Sequence, residues 1–145
     1  MTDRDNALFA ALNTAASTNK SAPTVLDDYA PCEINNEEDI KDLFVPNFYF
    51  GCESDDRMNA TAFDTKVNPF NARLNALFSS DIGHFDVINM QQVLPHAWAL
   101  VEDGVMSLDD FREFTFANPA RFWTSSNPDF FAGTNVEEAV AGLLG

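Results

Sequence analysis

Apolar residues fall into short clusters along this chain, and their spacing changes from helical to continuous and back. Over residues 3–16, Leu8, Phe9 and Leu12 recur at helical spacing among alanines, which predicts a helix. Ser17 to Pro23 is a loop by composition, and residues 24–34 read as extended or irregular. Asn36 caps a helix with acids in its first turn and Ile40, Leu43 and Phe44 on its apolar face; Pro46 stops it. Two runs then lose all polar alternation: Phe48–Cys52 and Leu74–Phe78. Strands of that kind are buried on both faces, as in parallel sheets. The connection over 53–73 exceeds the dozen or so residues that a parallel crossover needs, with a helical turn over 58–63 and another turn or helix start at Asn68–Pro69.

The rest of the pattern is helical. Residues 90–102 put Val93, Leu94, Ala97, Trp98 and Val101 on one stripe, and Gly104 ends it. Ser107 and Asp110 form a capping-box pair before Phe111, Phe114 and Phe116. Pro119 marks a fresh helix start that runs to Trp123. A loop with anchoring aromatics over 127–133 precedes a last helix over 136–144. Two strands among so many helices make part of an α/β fold: a single partial domain whose unpaired edges and leftover aromatics predict exposed apolar surface and self-association.

Composition narrows the partners. Of 145 residues, 46% are hydrophobic, so the chain can bury a core. The net charge of -15 repels phosphate backbones and anionic lipid, which argues against nucleic acid and membrane partners. No basic n-region opens the chain and no apolar run reaches spanning length. Cys32 and Cys52 lie outside any metal-binding spacing and read as reduced thiols of a cytoplasmic protein, with one disulfide as the minor alternative.

The chemistry gathers where the second strand ends. Behind Ala76–Phe78 come Ser79, Ser80, Asp81, Gly83, His84 and Asp86. Asp81 reads either as a metal ligand and general base or as a cap for the following turn. His84 reads as a substrate contact, a support for Asp81, or a loop histidine bonded to backbone. Glu53, Asp55 and Asp56 follow the first strand and either line the same mouth or form a solvated loop. Asp86 reads as a cap or solvated acid, His96 as structural, and Cys52, with no base in view, as a small buried residue.

Three runs carry a family likeness: residues 48–56, residues 68–86 and residues 116–123. Together they resemble the C-terminal part of amidohydrolase-related, metal-dependent hydrolases, the branch that includes aminocarboxymuconate-semialdehyde decarboxylase-like enzymes. The Ser80-Asp81 and Gly83-His84 pairs behind an apolar strand carry most of it, followed by Asn118-Pro119-Ala120-Arg121. The likeness covers about residues 25–133, leaving residues 1–24 as a helix-and-loop lead-in and 134–145 as a C-terminal helix.

The resemblance implies a TIM-type (β/α)8 barrel, with 48–52 and 74–78 as its seventh and eighth strands. It implies hydrolysis or decarboxylation of a small carboxylate or amide substrate, and a divalent metal, zinc first, with Asp81 as ligand and catalytic group and His84 and Glu53 toward substrate. The family's His-x-His pair has no counterpart, since the chain's two histidines are His84 and His96. The expectation is therefore a C-terminal portion, inactive alone, with the divalent metal belonging to the intact parent. The alternative is a non-catalytic α/β interaction module that pairs with itself or with a chain carrying the missing strands.

Overall fold

Asn36 is held by its own side chain to the helix it starts. Its Oδ1 accepts from the backbone N–H groups of Glu38 (2.9 Å) and Asp39 (3.2 Å), and Asp39 Oδ2 accepts from the Asn36 N–H (3.0 Å). This closed capping box begins α1 (Glu37–Phe44), and a 3-10 turn around Pro46 ends it. The computed structural model describes residues 30–145. The expected N-terminal helix and loop lie outside the described residues, as does most of the stretch 24–34. Of the latter, Ala30–Cys32 forms a 3-10 turn. Asn36 to Gly145 forms one compact unit.

That unit is α/β. Strand β1 (Tyr49–Glu53) pairs in parallel with β2 (Asn75–Ser79), with Tyr49 opposite Asn75 and Glu53 opposite Ser79. Both strands lie one residue further along than their apolar runs, because the polar ends Glu53 and Ser79 still join the ladder. The crossover holds a long 3-10 segment (Arg57–Phe63) and a short one (Pro69–Asn71). Four helices follow: α2 (Val93–Glu102), α3 (Leu108–Arg112), α4 (Asn118–Ser126) and α5 (Glu137–Leu144). No helix among the described residues is long and apolar enough to cross a membrane.

The core sits on one face of the strand pair. Ala76 is buried there with Phe63, Leu100, Met106 and Phe114, and Cys52 and Phe78 pack against them. Phe114 is fully buried and meets Phe63 and Phe78 edge-on, at 6.5 and 6.0 Å between ring centres. On the opposite face Tyr49 packs against Phe122 of α4 at 5.2 Å.

Two helical expectations change. The helix expected at Asn118-Pro119 forms as α4, with Pro in its first turn, but no break separates it from the helix before it. A π-helical turn (Glu113–Ala117) joins α3 to α4, and the Asn118 N–H reaches back to the Glu113 carbonyl. Proline cannot donate to the carbonyl four residues back, and widening the preceding turn lets the helix pass it unbroken. The turn also delivers the buried Asn118 amide to the Ala76 carbonyl of β2, at 2.8 Å. In α2, the buried residues are Ala97 and Leu100, whereas Leu94 and Trp98 are exposed at 52% and 39%. Trp98 lies across the edge of Phe111 (5.2 Å) and donates its Nε1–H to Glu102 (3.1 Å).

Two capping expectations hold. Gly104 ends α2 at a φ of 68°. Ser107 caps α3, and its hydroxyl donates to Asp110 Oδ2 at 2.6 Å.

Candidate metal centre

The parallel pair delivers the ends of both strands to one place. Glu53 closes β1 and Ser79 closes β2, directly opposite each other. The residues after them turn away from the core and frame a cleft of about 450 Å³. On the β1 side its wall is Glu53, Ser54 and Asp55. On the β2 side it is Ser80, Asp81 and Asp86. Val93 and His96 of α2 close the third side.

The β2 side holds the chemical cluster. Asp81 takes a left-handed backbone at φ 53°, and Gly83 follows at φ 114°, a value that L side chains rarely adopt. These two inversions fold 81–86 into a tight loop, with the His84 N–H donating to the Asp81 carbonyl (3.2 Å). His84 Nδ1 then lies 2.8 and 2.9 Å from the two carboxylate oxygens of Asp81. Asp81, His84 and Asp86 each offer a ligand atom, all within 4.8 Å of one another. An aspartate in the left-handed region carries local strain, of the kind that clusters where side chains must be aimed.

Two carboxylates and an imidazole suit a divalent cation of borderline hardness. They supply three protein ligands, and water can fill the other positions. Asp81 is 23% exposed at its side chain and His84 72%, so the corner is open to solvent on one side.

The other sequence candidates separate. Asp81 does not cap the next turn; its carboxylate accepts from His84. Glu53 and Asp55 share the cleft with Asp81, whereas Asp56 turns away and accepts the Met58 N–H at 2.8 Å. Buried Asn59 donates to the Glu53 carbonyl at 2.6 Å, which fixes the bend behind β1. His96 is exposed on α2 and lines the cleft, outside the Asp81 cluster.

Burial raises the Cys52 thiol above its ordinary range, and the charge of Asp56 raises it further. It stays protonated, packed against the core, and is no nucleophile. Cys32 and Cys52 are both free.

Several lining residues had not been singled out for the cleft, Asp86 and Ser54 among them. Asp86 read as a solvated acid, yet it is the third member of the cluster; the signal was its spacing of two from His84 and five from Asp81 across a glycine. Ser54 had no signal beyond following a strand. No protein-family model, curated protein or solved structure matches the chain.

Proposed function

We propose that this chain carries one corner of the metal centre of an amidohydrolase-like enzyme, at the C-terminal ends of two neighbouring strands of a (β/α)8-type barrel. The observation that carries the reading is the Asp81–His84–Asp86 cluster, set immediately beyond β2, with Asp81 and Asp86 lining a cleft shared with the end of β1. In barrels of that type the functional groups stand at the C-terminal ends of parallel strands. The remaining strands and ligands would come from chain beyond these strands or from a second polypeptide, in a cytoplasmic protein acting on a small substrate.

Asp81, His84 and Asp86 would hold the ion, zinc first. The ion would act as a Lewis acid and acidify a bound water. Asp81 has two tasks here, since its carboxylate both faces the cleft and anchors the imidazole through Nδ1. Ligands must be deprotonated to hold a metal, so an ion bound by these three side chains would release protons and bind less tightly in acid. A zinc titration of the full chain followed by NMR tests the reading. Saturable shifts confined to 81–86 support it, and their absence removes it.

A second reading rests on the apolar side chains beside the cleft. Phe85 is 97% exposed and Ile88 95%. Exposed groups of that size favour a surface that another protein or a second copy covers, as in a non-catalytic interaction module. Sedimentation of the chain over a range of concentrations decides whether it associates with itself.

A further inference from the structure

Among the described residues, β1 has β2 on one side and no strand on the other. Strand edges are commonly blunted by a lysine, a proline, a bulge or a covering element. Tyr49–Glu53 contains neither lysine nor proline, and its register with β2 runs without a bulge. A groove of about 520 Å³ opens along the strand, between Phe50–Glu53 and the Met58, Thr61 and Ala62 side of the long 3-10 segment. Phe44 and Phe48, stacked at 4.8 Å and both exposed, carry the apolar surface past the start of the strand.

Charge decides what can pair there. The chain carries a net charge of -15, so two copies repel over most of their surface. The stretch from Leu43 to Cys52 has no charged residue. It is a place where two acidic copies can approach.

We propose that β1 pairs along its free edge with β1 of a second copy, antiparallel and centred on Gly51, joining two two-stranded sheets into one. Gly51 then faces Gly51 of the second copy, Phe50 faces its Cys52, and Tyr49 faces its Glu53. The two Glu53 side chains stand at opposite ends of the pair, about 13 Å apart along the strands, beyond the Debye length of about 8 Å at physiological salt. Parallel pairing in register would set Glu53 directly against Glu53, which destabilises. The antiparallel pair also closes on itself, because one edge serves both copies about a two-fold axis. Main-chain hydrogen bonds supply its affinity, as in other strand additions. Five residues a side are few beside the roughly 1,200 Å² that a stable interface buries, so the dimer is weak and reversible. The inference gives the interaction-module reading a partner at a surface other than the loop over 80–92, and it makes no use of the metal.

The test follows amide exchange of the full chain by NMR at low and high concentration. Alternate amides of 49–53 should slow by at least about tenfold at high concentration, while those of α5 stay the same. Protection of 49–53 that does not depend on concentration would mean that another part of the chain covers the edge. No protection at any concentration would mean that nothing does. Either result overturns the proposal.

Cross-linking reads the register. With Cys32→Ser in both, chains carrying Tyr49→Cys and chains carrying Glu53→Cys should form a mixed disulfide dimer on oxidation faster than either forms one with itself. Faster linkage of Glu53→Cys to itself would make the strands parallel and contradict the pairing. Phe85→Ser should leave the protection of 49–53 unchanged, and its loss would move the contact to the loop over 80–92. Neither measurement involves zinc, so the metal reading and this one can fail separately.

Discussion

The two sides of the strand pair's C-terminal end differ in how they are held. Behind β2, the Phe114 core and the Asn118 amide fix the strands from within, and among the described residues no buried side-chain nitrogen or oxygen lacks a partner. Ahead of β2, the loop over 80–92 is held by short backbone turns and by the Asp81–His84 contact, and it leaves Ile82, Phe85, Ile88 and Met90 exposed. Stability belongs to the first region and the proposed chemistry to the second. A loop on a rigid support can be aimed without being packed, which is how binding groups are usually carried.

Substitutions can break that contrast from its stable side. Phe114→Ala leaves a large void among Phe63, Phe78 and Leu100 and should cost about 3–5 kcal/mol, read by urea or thermal unfolding. Loss on that scale removes most of a small domain's stability. Asn118→Ala should cost about 1–3 kcal/mol, because the Ala76 carbonyl loses its buried partner. It also sharpens the reading of the π-helical turn. If the amide is what the turn serves, the loss should appear without any change in helix content by circular dichroism.

A smaller effect comes from Asp110. Burial pushes its carboxyl up, but the Ser107 hydroxyl and the Arg73 guanidinium, 2.6 Å away, together outweigh burial and hold it below its usual value. A carboxyl lowered in the folded state stabilises fully above its unfolded value of about 3.9 and loses that contribution as the pH falls through the folded value. Asp110→Asn should therefore cost no more than about 1 kcal/mol at neutral pH, given the half-exposed Arg73. The gap to the unsubstituted chain should close below about pH 4. A gap that widens in acid would reverse the assignment.

The smallest expected change in stability is on the loop. Phe85→Ser and Ile88→Ser should stay within about 0.5 kcal/mol, since both side chains stand almost wholly in solvent. Sedimentation should nonetheless show less self-association. A large loss of stability would mean that the loop is part of the core after all.

Much of the framework was legible because it follows local rules. The apolar runs ending at Cys52 and Phe78, the second interrupted only by Asn75, marked two strands, and the length of the crossover made them parallel; of the two, Ala76 alone is buried. Asn36, Gly104 and Ser107 marked helix ends by their capping chemistry. The π-helical turn was hidden because Pro119 carries the same signature at a helix start as inside a widened turn. The buried face of α2 was misjudged because hydropathy favours Trp98, while the space beside Met106 and Phe114 takes Leu100.

Asp81 could be picked out in the sequence by its place behind a strand. Its meeting with Asp86 could not, because it depends on the left-handed turn at Asp81 and the inversion at Gly83, which no periodicity encodes. The family likeness supplied the barrel and the zinc, and both stand as proposals.

The most direct test of the metal corner is a zinc titration of the full chain and of Asp81→Asn, following the His84 imidazole and the amides of 81–86. The account predicts one weak, saturable event confined to that loop, lost in Asp81→Asn and weakened in acid. Shifts that survive Asp81→Asn, or that spread evenly over the acidic surface, would contradict it.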